Sequence, residues 1–248
     1  MEWMEMRKIN YSYADYTIHL DLISKTKGIA AAGNYMSNLS PLAKNKYTYG
    51  TLLNCCCMGI MEHKALELFE KVDQMGFVSN SLPFTNIMSM YMKLGKPEKV
   101  LSLVQDMKRR NISLSTIAYN ILMQSYASLN DIVGVERVSE EIEKVDEDKS
   151  DWRIYSNLAA VYVKAGLFEK AKIALGKLEE KKMKPGTPHE AYHFVISLYA
   201  AIGQLGEVNR IWKTLNSVYP RVTNIGYLVM RQAQPQITRP NIAKKREY

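Results

Sequence analysis

Residues 81–110 read SLPFTNIMSMYMKLGKPEKVLSLVQDMKRR, two helical patterns separated by a turn. In the first pattern the apolar side chains fall on one helical stripe, made of Phe84, Ile87, Met88, Tyr91 and Met92. Gly95 is typical of a helix end, and Pro97 suits the first turn of the next helix because its missing N–H is not needed there. A second stripe follows, made of Val100, Leu103, Val104 and Met107. The stretch therefore predicts a hairpin of two short helices.

The same hairpin pattern recurs along the chain at spacings of 35, 36 and 37 residues. These spacings separate the first aromatics, which are Phe84, Tyr119, Tyr155 and Tyr192. Four more columns keep that register: Tyr91, Tyr126, Tyr162 and Tyr199; Gly95, Asn130, Gly166 and Gly203; Val100, Val135, Ala171 and Val208; Met107, Ile142, Leu178 and Leu215. Such columns indicate one unit copied along the chain, each copy burying its apolar face against its neighbours. The predicted fold is all-α, a right-handed α-solenoid of about five stacked helix hairpins with partial end copies.

The repeat register divides the chain into six copies and a partial seventh. Their expected bounds are about 13–46, 47–80, 81–115, 116–151, 152–188 and 189–220, with the partial copy at 221–230. The first copy is degenerate, and the second has Gly59 at its turn. No Gly/Ser-rich linker interrupts residues 13–230, which favours one elongated domain. A basic, irregular tail is expected over 231–248, where prolines and lysines replace the periodicity.

Composition and charge leave several function classes open. The 248 residues are 47% hydrophobic, but no apolar run approaches the ~20 residues that span a bilayer, so no membrane partner is expected. The net charge is +8, of which the tail supplies +4, and a modestly basic repeat region permits RNA binding without demanding it. The consecutive Cys55, Cys56 and Cys57 favour packing within a helix over a metal site, because helical neighbours point about 100° apart.

Several phrases within the copies resemble pentatricopeptide repeats. They are Ala65-Leu-Glu-Leu-Phe-Glu-Lys-Val, Lys93-Leu-Gly-Lys-Pro-Glu-Lys-Val, Ile117-Ala-Tyr-Asn-Ile-Leu-Met, Lys164-Ala-Gly-Leu-Phe-Glu-Lys-Ala and Lys181-Lys-Met-Lys-Pro. The period of 35 or slightly more also suits this family better than the 34-residue tetratricopeptide unit. The segment Asp15-Tyr-Thr-Ile-His-Leu-Asp-Leu-Ile looks like the plant group built of plain repeats, whose members are mostly mitochondrial. The resemblance thus implies a mitochondrial location, although no presequence is visible at the start of the chain.

The resemblance implies a non-enzymatic adaptor without a cofactor that binds single-stranded RNA, one nucleotide per repeat. In this family the residue after the first-helix aromatic reads the base together with the last residue of the repeat. The corresponding pairs are Gly50 with Asn80, Thr85 with Ser115, Asn120 with Asp151, Ser156 with Pro188, and His193 with Pro220. Asn120 with Asp151 matches a strong family combination, which prefers uridine. The expected RNA-binding residues are Asn120, Asp151, Thr85, Ser115, Ser156, His193 and Asn80.

The other pairs depart from the family pattern. Gly50 has no side chain, and neither Pro188 nor Pro220 can supply the usual polar partner. A correct base contact contributes about 1–3 kcal/mol, so a single good pair yields little discrimination. This departure leaves a second hypothesis open, in which the solenoid is a protein–protein scaffold, for example a component of an organellar ribosome. Neither hypothesis involves a small-molecule substrate.

A zinc-peptidase motif competes for one helix start. His189-Glu-Ala-Tyr-His193 matches H-E-x-x-H, in which two histidines hold Zn²⁺ and Glu190 acts as general base. A catalytic zinc needs a third protein ligand, and none stands at a family spacing. The repeat explains the same residues without a metal: Thr187 and Glu190 form a capping box, and His193 faces the surface. The peptidase is therefore a remote alternative, and no metal ligand is expected.

Overall fold

We describe a computed structural model of the chain, which covers residues 6–7, 11–145, 152–182, 187–219 and 223–233. All regular secondary structure in these residues is helical. The long helices are α1 (Tyr13–Lys27), α2 (Ile29–Asn38), α3 (Lys46–Met58), α4 (Glu62–Gln74), α5 (Ser81–Lys93), α6 (Pro97–Arg109), α7 (Thr116–Ser128), α8 (Ile132–Val145), α9 (Trp152–Lys164), α10 (Phe168–Lys182), α11 (His189–Ala201), α12 (Leu205–Val218) and α13 (Asn224–Ala233).

The helices pair into stacked hairpins, as the sequence predicts. The chain divides into two compact units, Met1–Leu129 and Asn130–Tyr248. In the first unit, α1–α2, α3–α4 and α5–α6 are hairpins, and their first helices α1, α3 and α5 pack side by side, followed by α7. In the second unit α9–α10 and α11–α12 are hairpins, and α13 packs on α11. The all-α solenoid class is confirmed. The predicted tail beyond residue 233, Asp151 and Pro220 lie outside the described residues.

The repeat columns form the core of each unit. Phe84, Tyr155 and Tyr192 are 0%, 1% and 2% exposed, so the first aromatic of each hairpin is sealed between neighbouring helices. The small column of the second helices is fully buried as well, at Val100, Val135, Ala171 and Val208. Cys55, Cys56 and Cys57 are buried free thiols in α3, as predicted. Burial of apolar surface at about 25 cal/mol per Å² makes this interdigitation the main stabilising contribution.

The turn inside each hairpin requires a left-handed residue. Gly95, Gly166 and Gly203 have φ values of 67°, 72° and 76°, and Asn130 has φ 57°. The pattern places Gly59 at this turn in the second copy, but the structure gives the position to Ile60, with φ 56°. Ile60 follows Tyr49 by eleven residues, as Gly95 follows Phe84. The left-handed conformation therefore occurs at the same position of the repeat even where that position holds a β-branched residue.

The predicted capping box at Thr187 and Glu190 is wrong. Helix α11 begins at His189, and Pro188 is its N-cap, without a side-chain hydrogen bond. Thr187 thus stands one residue too early to cap the helix, and Glu190 is exposed. Thr187 is instead buried, and its carbonyl oxygen accepts a hydrogen bond from the Tyr219 hydroxyl.

We expect Ile60→Gly to stabilise the fold. A left-handed conformation costs an L-residue roughly 1–2 kcal/mol in the folded state, and glycine removes that cost. Glycine also raises the conformational entropy of the unfolded chain, which lowers the stability by about 0.4–1 kcal/mol and offsets part of the gain. The free energy of unfolding in urea should rise by about 0.5–1 kcal/mol. Gly95→Ala, at the equivalent turn, should have the opposite sign. A loss of stability in Ile60→Gly would contradict the assignment of this turn.

Candidate nucleic-acid interface

The first helices of the first unit border an open groove of about 860 Å³. Each of the helices α1, α3 and α5 contributes several residues to the wall of the groove, spaced so that they lie on one face of their helix. Tyr47, Gly50 and Asn54 supply the α3 wall, at intervals of three and four residues. The groove therefore runs across successive repeats, on the face of the first helices.

Gly50 and Asn80, one of the predicted pairs, line this groove together. A Cβ atom added at Gly50 would meet nothing within 4 Å, so the missing side chain leaves open space. Tyr47 and Leu82 stand three residues before the reading positions of adjacent repeats, and are 57% and 60% exposed. An aromatic and an aliphatic side chain therefore line the same groove as this open position. Sequence reasoning missed Tyr47 and Leu82, although their spacing from Gly50 and Thr85 would have placed them on the same face.

The predicted last residue of a repeat is also the N-cap of the next first helix. The Asn80 side-chain oxygen accepts a hydrogen bond from the Leu82 N–H at 2.9 Å, at the start of α5. Ser115 caps α7 in the same way, accepting from the Ala118 N–H at 3.3 Å. Because capping uses only the amide oxygen, the Asn80 –NH₂ group stays available as a donor at the groove. The cap thereby holds the side chain in place.

The residue after each first-helix aromatic is more buried than expected. Thr85 and Ser156 are 5% and 4% exposed, and their hydroxyls donate to the Leu82 and Arg153 carbonyl oxygens at 2.9 Å and 3.0 Å. His193, at the same position, is 8% exposed, so its predicted surface-facing location is wrong. The reason is that first helices of successive hairpins pack side by side and cover this face. Asn120 is half-buried on α7, and its pairing with Asp151 stays a prediction because Asp151 lies outside the described residues.

The two histidines of the H-E-x-x-H segment have unusual surroundings. His193 Nε2 and His189 Nδ1 are buried without a hydrogen-bond partner. The His189 ring lies against Tyr219, with ring centroids 3.7 Å apart. Desolvation, and then the nearby His189, lower the pKa of His193. Across the described residues, no three His, Cys, Asp or Glu side chains converge to hold a metal ion.

Two lysines border the groove beside its apolar side chains. Lys25 lies 2.7 Å from Asp21, whose hydrogen bond raises the pKa of the Lys25 ammonium. Lys46 Nζ lies 5.1 Å from the centroid of the Tyr47 ring. Both ammonium groups are within the groove lining and carry positive charge at neutral pH. In the part of the chain that the structure covers, no helix combines the length and apolarity needed to cross a membrane.

Stacked helix hairpins of this geometry define a helical-repeat protein, and comparisons with known proteins identify the repeat. The PPR repeat family matches residues 79–128, and the PPR repeat itself matches residues 47–77 and 153–183. A mitochondrial pentatricopeptide repeat-containing protein of Arabidopsis thaliana is 51% identical over 237 residues, covering 95% of this chain and 44% of the relative. The large ribosomal subunit protein mL101 of the same plant is 40% identical over 231 residues, covering 93% and 47%. The chain belongs to the pentatricopeptide repeat family.

Solved structures show the same fold. The structure of the maize pentatricopeptide repeat protein PPR10 in complex with an 18-nt psaJ RNA element matches with TM-score 0.63 at 17% identity, covering 94% of this chain and 34% of that chain. The pentatricopeptide repeat domain of Arabidopsis protein-only RNase P 1, in complex with tRNA, matches with TM-score 0.52 at 17% identity, covering 73% and 97%. The present chain spans just under half the length of the curated relatives above.

We expect His193 to make the fold acid-sensitive. Its pKa is lowered below the unfolded value of about 6.5, so the unfolded chain binds the proton more readily and stability falls as pH drops through 6.5. Urea unfolding at pH 7.5 and 5.5 should show a smaller acid-induced loss in His193→Gln than in the original chain. His63→Gln, which changes an exposed histidine, should leave the loss unchanged. Equal pH dependence in all three proteins would contradict the burial of a neutral imidazole.

Proposed function

We propose that this chain binds single-stranded RNA along the face of its first helices, as a non-enzymatic adaptor in mitochondrial RNA processing, stability or translation. The observation that carries the proposal is the groove across α1, α3 and α5, which the exposed Tyr47 and Leu82 line together with the open position at Gly50. A flat, unpaired base fits between such side chains, since stacking contributes about 1–3 kcal/mol per base without regard to sequence.

The polar groups of the groove suit the remaining parts of a nucleotide. The Asn80 amide can donate to a base edge while its oxygen caps α5. Lys25 and Lys46 supply positive charge for the phosphates along the same wall. These proposed contacts are to the base edges and phosphates of unmodified RNA, and they need no cofactor. We therefore infer a binding role for the repeats.

Base selection is proposed at one repeat above all. Asn120 follows the buried Tyr119 and with Asp151 would favour uridine, whereas Gly50 offers no side chain. Thr85 and Ser156 have committed their hydroxyl protons to helix carbonyls, so they could only accept a hydrogen bond from a base. Ser115 and His193 are further proposed contacts on the first-helix face, although only 8% of the His193 surface is exposed. We propose that most of the affinity comes from stacking and phosphate contacts.

The known relatives support the compartment and the ligand class. The 51%-identical Arabidopsis relative is a mitochondrial pentatricopeptide repeat-containing protein, and the maize structure holds an RNA element. A second candidate function rests on the relative that is a large ribosomal subunit protein. On that alternative the repeats bind a ribonucleoprotein particle as a scaffold, and the groove contacts ribosomal RNA or protein.

The uridine preference should depend on Asn120 and Asp151. Asn120→Ala or Asp151→Ala should weaken binding of a 15-nt RNA with uridine at the favoured position by roughly 5- to 100-fold, equivalent to about 1–3 kcal/mol. Binding of the RNA with another base there should change far less, in gel shifts at physiological salt. Asn216→Ala, on the second-helix side, is the matched control. Absence of RNA binding by the full chain would overturn the proposed function.

The groove lysines should account for part of the salt dependence. Each phosphate contact on single strands contributes a slope of about −0.7 in log K against log salt. Lys25→Ala combined with Lys46→Ala should therefore make the slope shallower by about 1.4 and weaken binding of all RNA sequences alike. The exposed Lys213 on α12 offers the control, Lys213→Ala. An unchanged slope in the double variant would show that the RNA runs elsewhere.

A further inference from the structure

Ion pairs join the second helices of successive hairpins. Glu62 Oε1 on α4 lies 3.0 Å from Lys99 Nζ on α6 in the first unit. In the second unit, Glu136 and Glu143 on α8 lie 2.7 Å and 3.4 Å from Lys170 and Lys177 on α10. In each of these three pairs the preceding second helix supplies the carboxylate and the following second helix supplies the lysine.

These pairs occupy fixed positions in the second helices. Lys99 and Lys170 are the third residues of their helices, and Lys177 is the tenth. Their carboxylate partners are the first residue of α4, at Glu62, and the fifth and twelfth residues of α8. The positions show which side chains of a preceding helix can reach the lysines of the following one.

Helix α4 has lysines at the same two helix positions, but the helix that precedes it in the stack offers no carboxylates to pair with them. Lys64 is its third residue and Lys71 its tenth, equivalent to Lys170 and Lys177. The preceding helix α2 has Ile29 as first residue, Gly33 as fifth, and ends at its tenth, with no charged side chain along its length. No ion pair to Lys64 or Lys71 is present within the described ranges.

The small residues of α2 also leave a groove of about 450 Å³ beside α4. Its floor is apolar, formed by Leu52 and Cys56, which are 9% and 4% exposed, and by Leu68. Burial raises the pKa of the Cys56 thiol, which keeps that thiol neutral. Lys64 and Lys71 are exposed at its rim, while Glu67 lies 3.3 Å from His63.

We propose that this groove docks an acidic amphipathic helix of a partner protein, with two carboxylates seven residues apart on Lys64 and Lys71. Two turns of helix span about 10.5 Å, so residues seven apart share a face. Helix α8 shows the required arrangement, because Glu136 and Glu143 are seven residues apart and pair with lysines of the same spacing. Apolar side chains between the two carboxylates then cover Leu52 and Leu68.

The groove suits a protein segment better than a nucleic-acid strand. Its floor offers apolar surface and a neutral thiol, which attract aliphatic side chains and give nothing to a phosphate. The lysines of this site lie on the second helix α4, and its floor uses Leu52 and Cys56 of α3, which are not among the residues that line the proposed RNA groove. Each inference can therefore be tested without the other.

The chain's own α8 sequence provides a probe. A fluorescein-labelled peptide of residues 132–145, IVGVERVSEEIEKV, stapled on the face away from both paired carboxylates, is titrated with the full 248-residue chain. Fluorescence anisotropy should show saturable binding in the micromolar range. A peptide with glutamine in place of both paired glutamates should bind at least tenfold more weakly.

Variants of the full chain locate the binding. Lys64→Gln with Lys71→Gln should weaken the peptide at least tenfold, whereas Lys172→Gln with Lys213→Gln, exposed lysines of other second helices, should not. Gly33→Glu should supply the missing carboxylate to Lys64 and abolish peptide binding. A Cβ there meets nothing within 4 Å, so this variant should fold and have a Tm at least equal to that of the original chain.

Three outcomes would overturn the proposal. The first is no saturable binding of the α8 peptide to the original chain. The second is binding that survives in the Lys64, Lys71 double variant or in Gly33→Glu. The third is displacement of the peptide by a 15-nt polyuridylate that requires Lys64 and Lys71, which would make the groove a phosphate site. Peptide binding unaffected by that RNA supports a separate protein-docking surface.

Discussion

The packing of one aromatic per hairpin between neighbouring first helices is the contact on which the other features depend. Phe84, Tyr155 and Tyr192 are almost completely buried in this role. Once such a ring is fixed, helical geometry directs the residues two before and one after it towards the face shared with the adjacent hairpin. This spacing explains why Tyr47 and Gly50 line the groove. It also explains why the hydroxyls of Thr85 and Ser156 and the His193 ring are buried. A single packing contact therefore sets both the core and the candidate binding face.

The fold was predictable from the sequence because it is repetitive. Each column is sampled several times, so an irregular copy such as that of residues 47–80 does not obscure the helix hairpin. Local exceptions were not predictable in the same way. Ile60 adopts a conformation that the sequence pattern assigns to Gly59, since the distance from Tyr49 outweighs the preference of the residue. The cap expected at Thr187 failed because the helix begins at His189, and a shift of one residue changes every capping partner.

The binding site was only partly predictable. The reading positions follow from the register, and the structure brings Gly50 and Asn80 into one groove. Burial at those positions was not foreseen, because it depends on how closely successive first helices approach, and a single copy does not contain that information. The groove between α2 and α4 could likewise not be predicted from the sequence of a single repeat. It became visible when the positions of Glu62 and Glu136 in their helices were compared with the equivalent positions of α2, which are Ile29 and Gly33.

The dual use of Asn80 and Ser115 limits how such an array can change its ligand. Each side chain caps a helix; Asn80 also lines the groove, and Ser115 is proposed to border the same face. Asn, Asp, Ser, Thr and, less well, Gly are the preferred N-caps, and replacement of a capping side chain by alanine costs about 0.5–2 kcal/mol. Helix capping therefore restricts the residue types that this position tolerates, before any requirement for base recognition applies. A repeat that abandons it, as the one beginning after Pro188 has done, gains freedom from that restriction and gives up a polar reader.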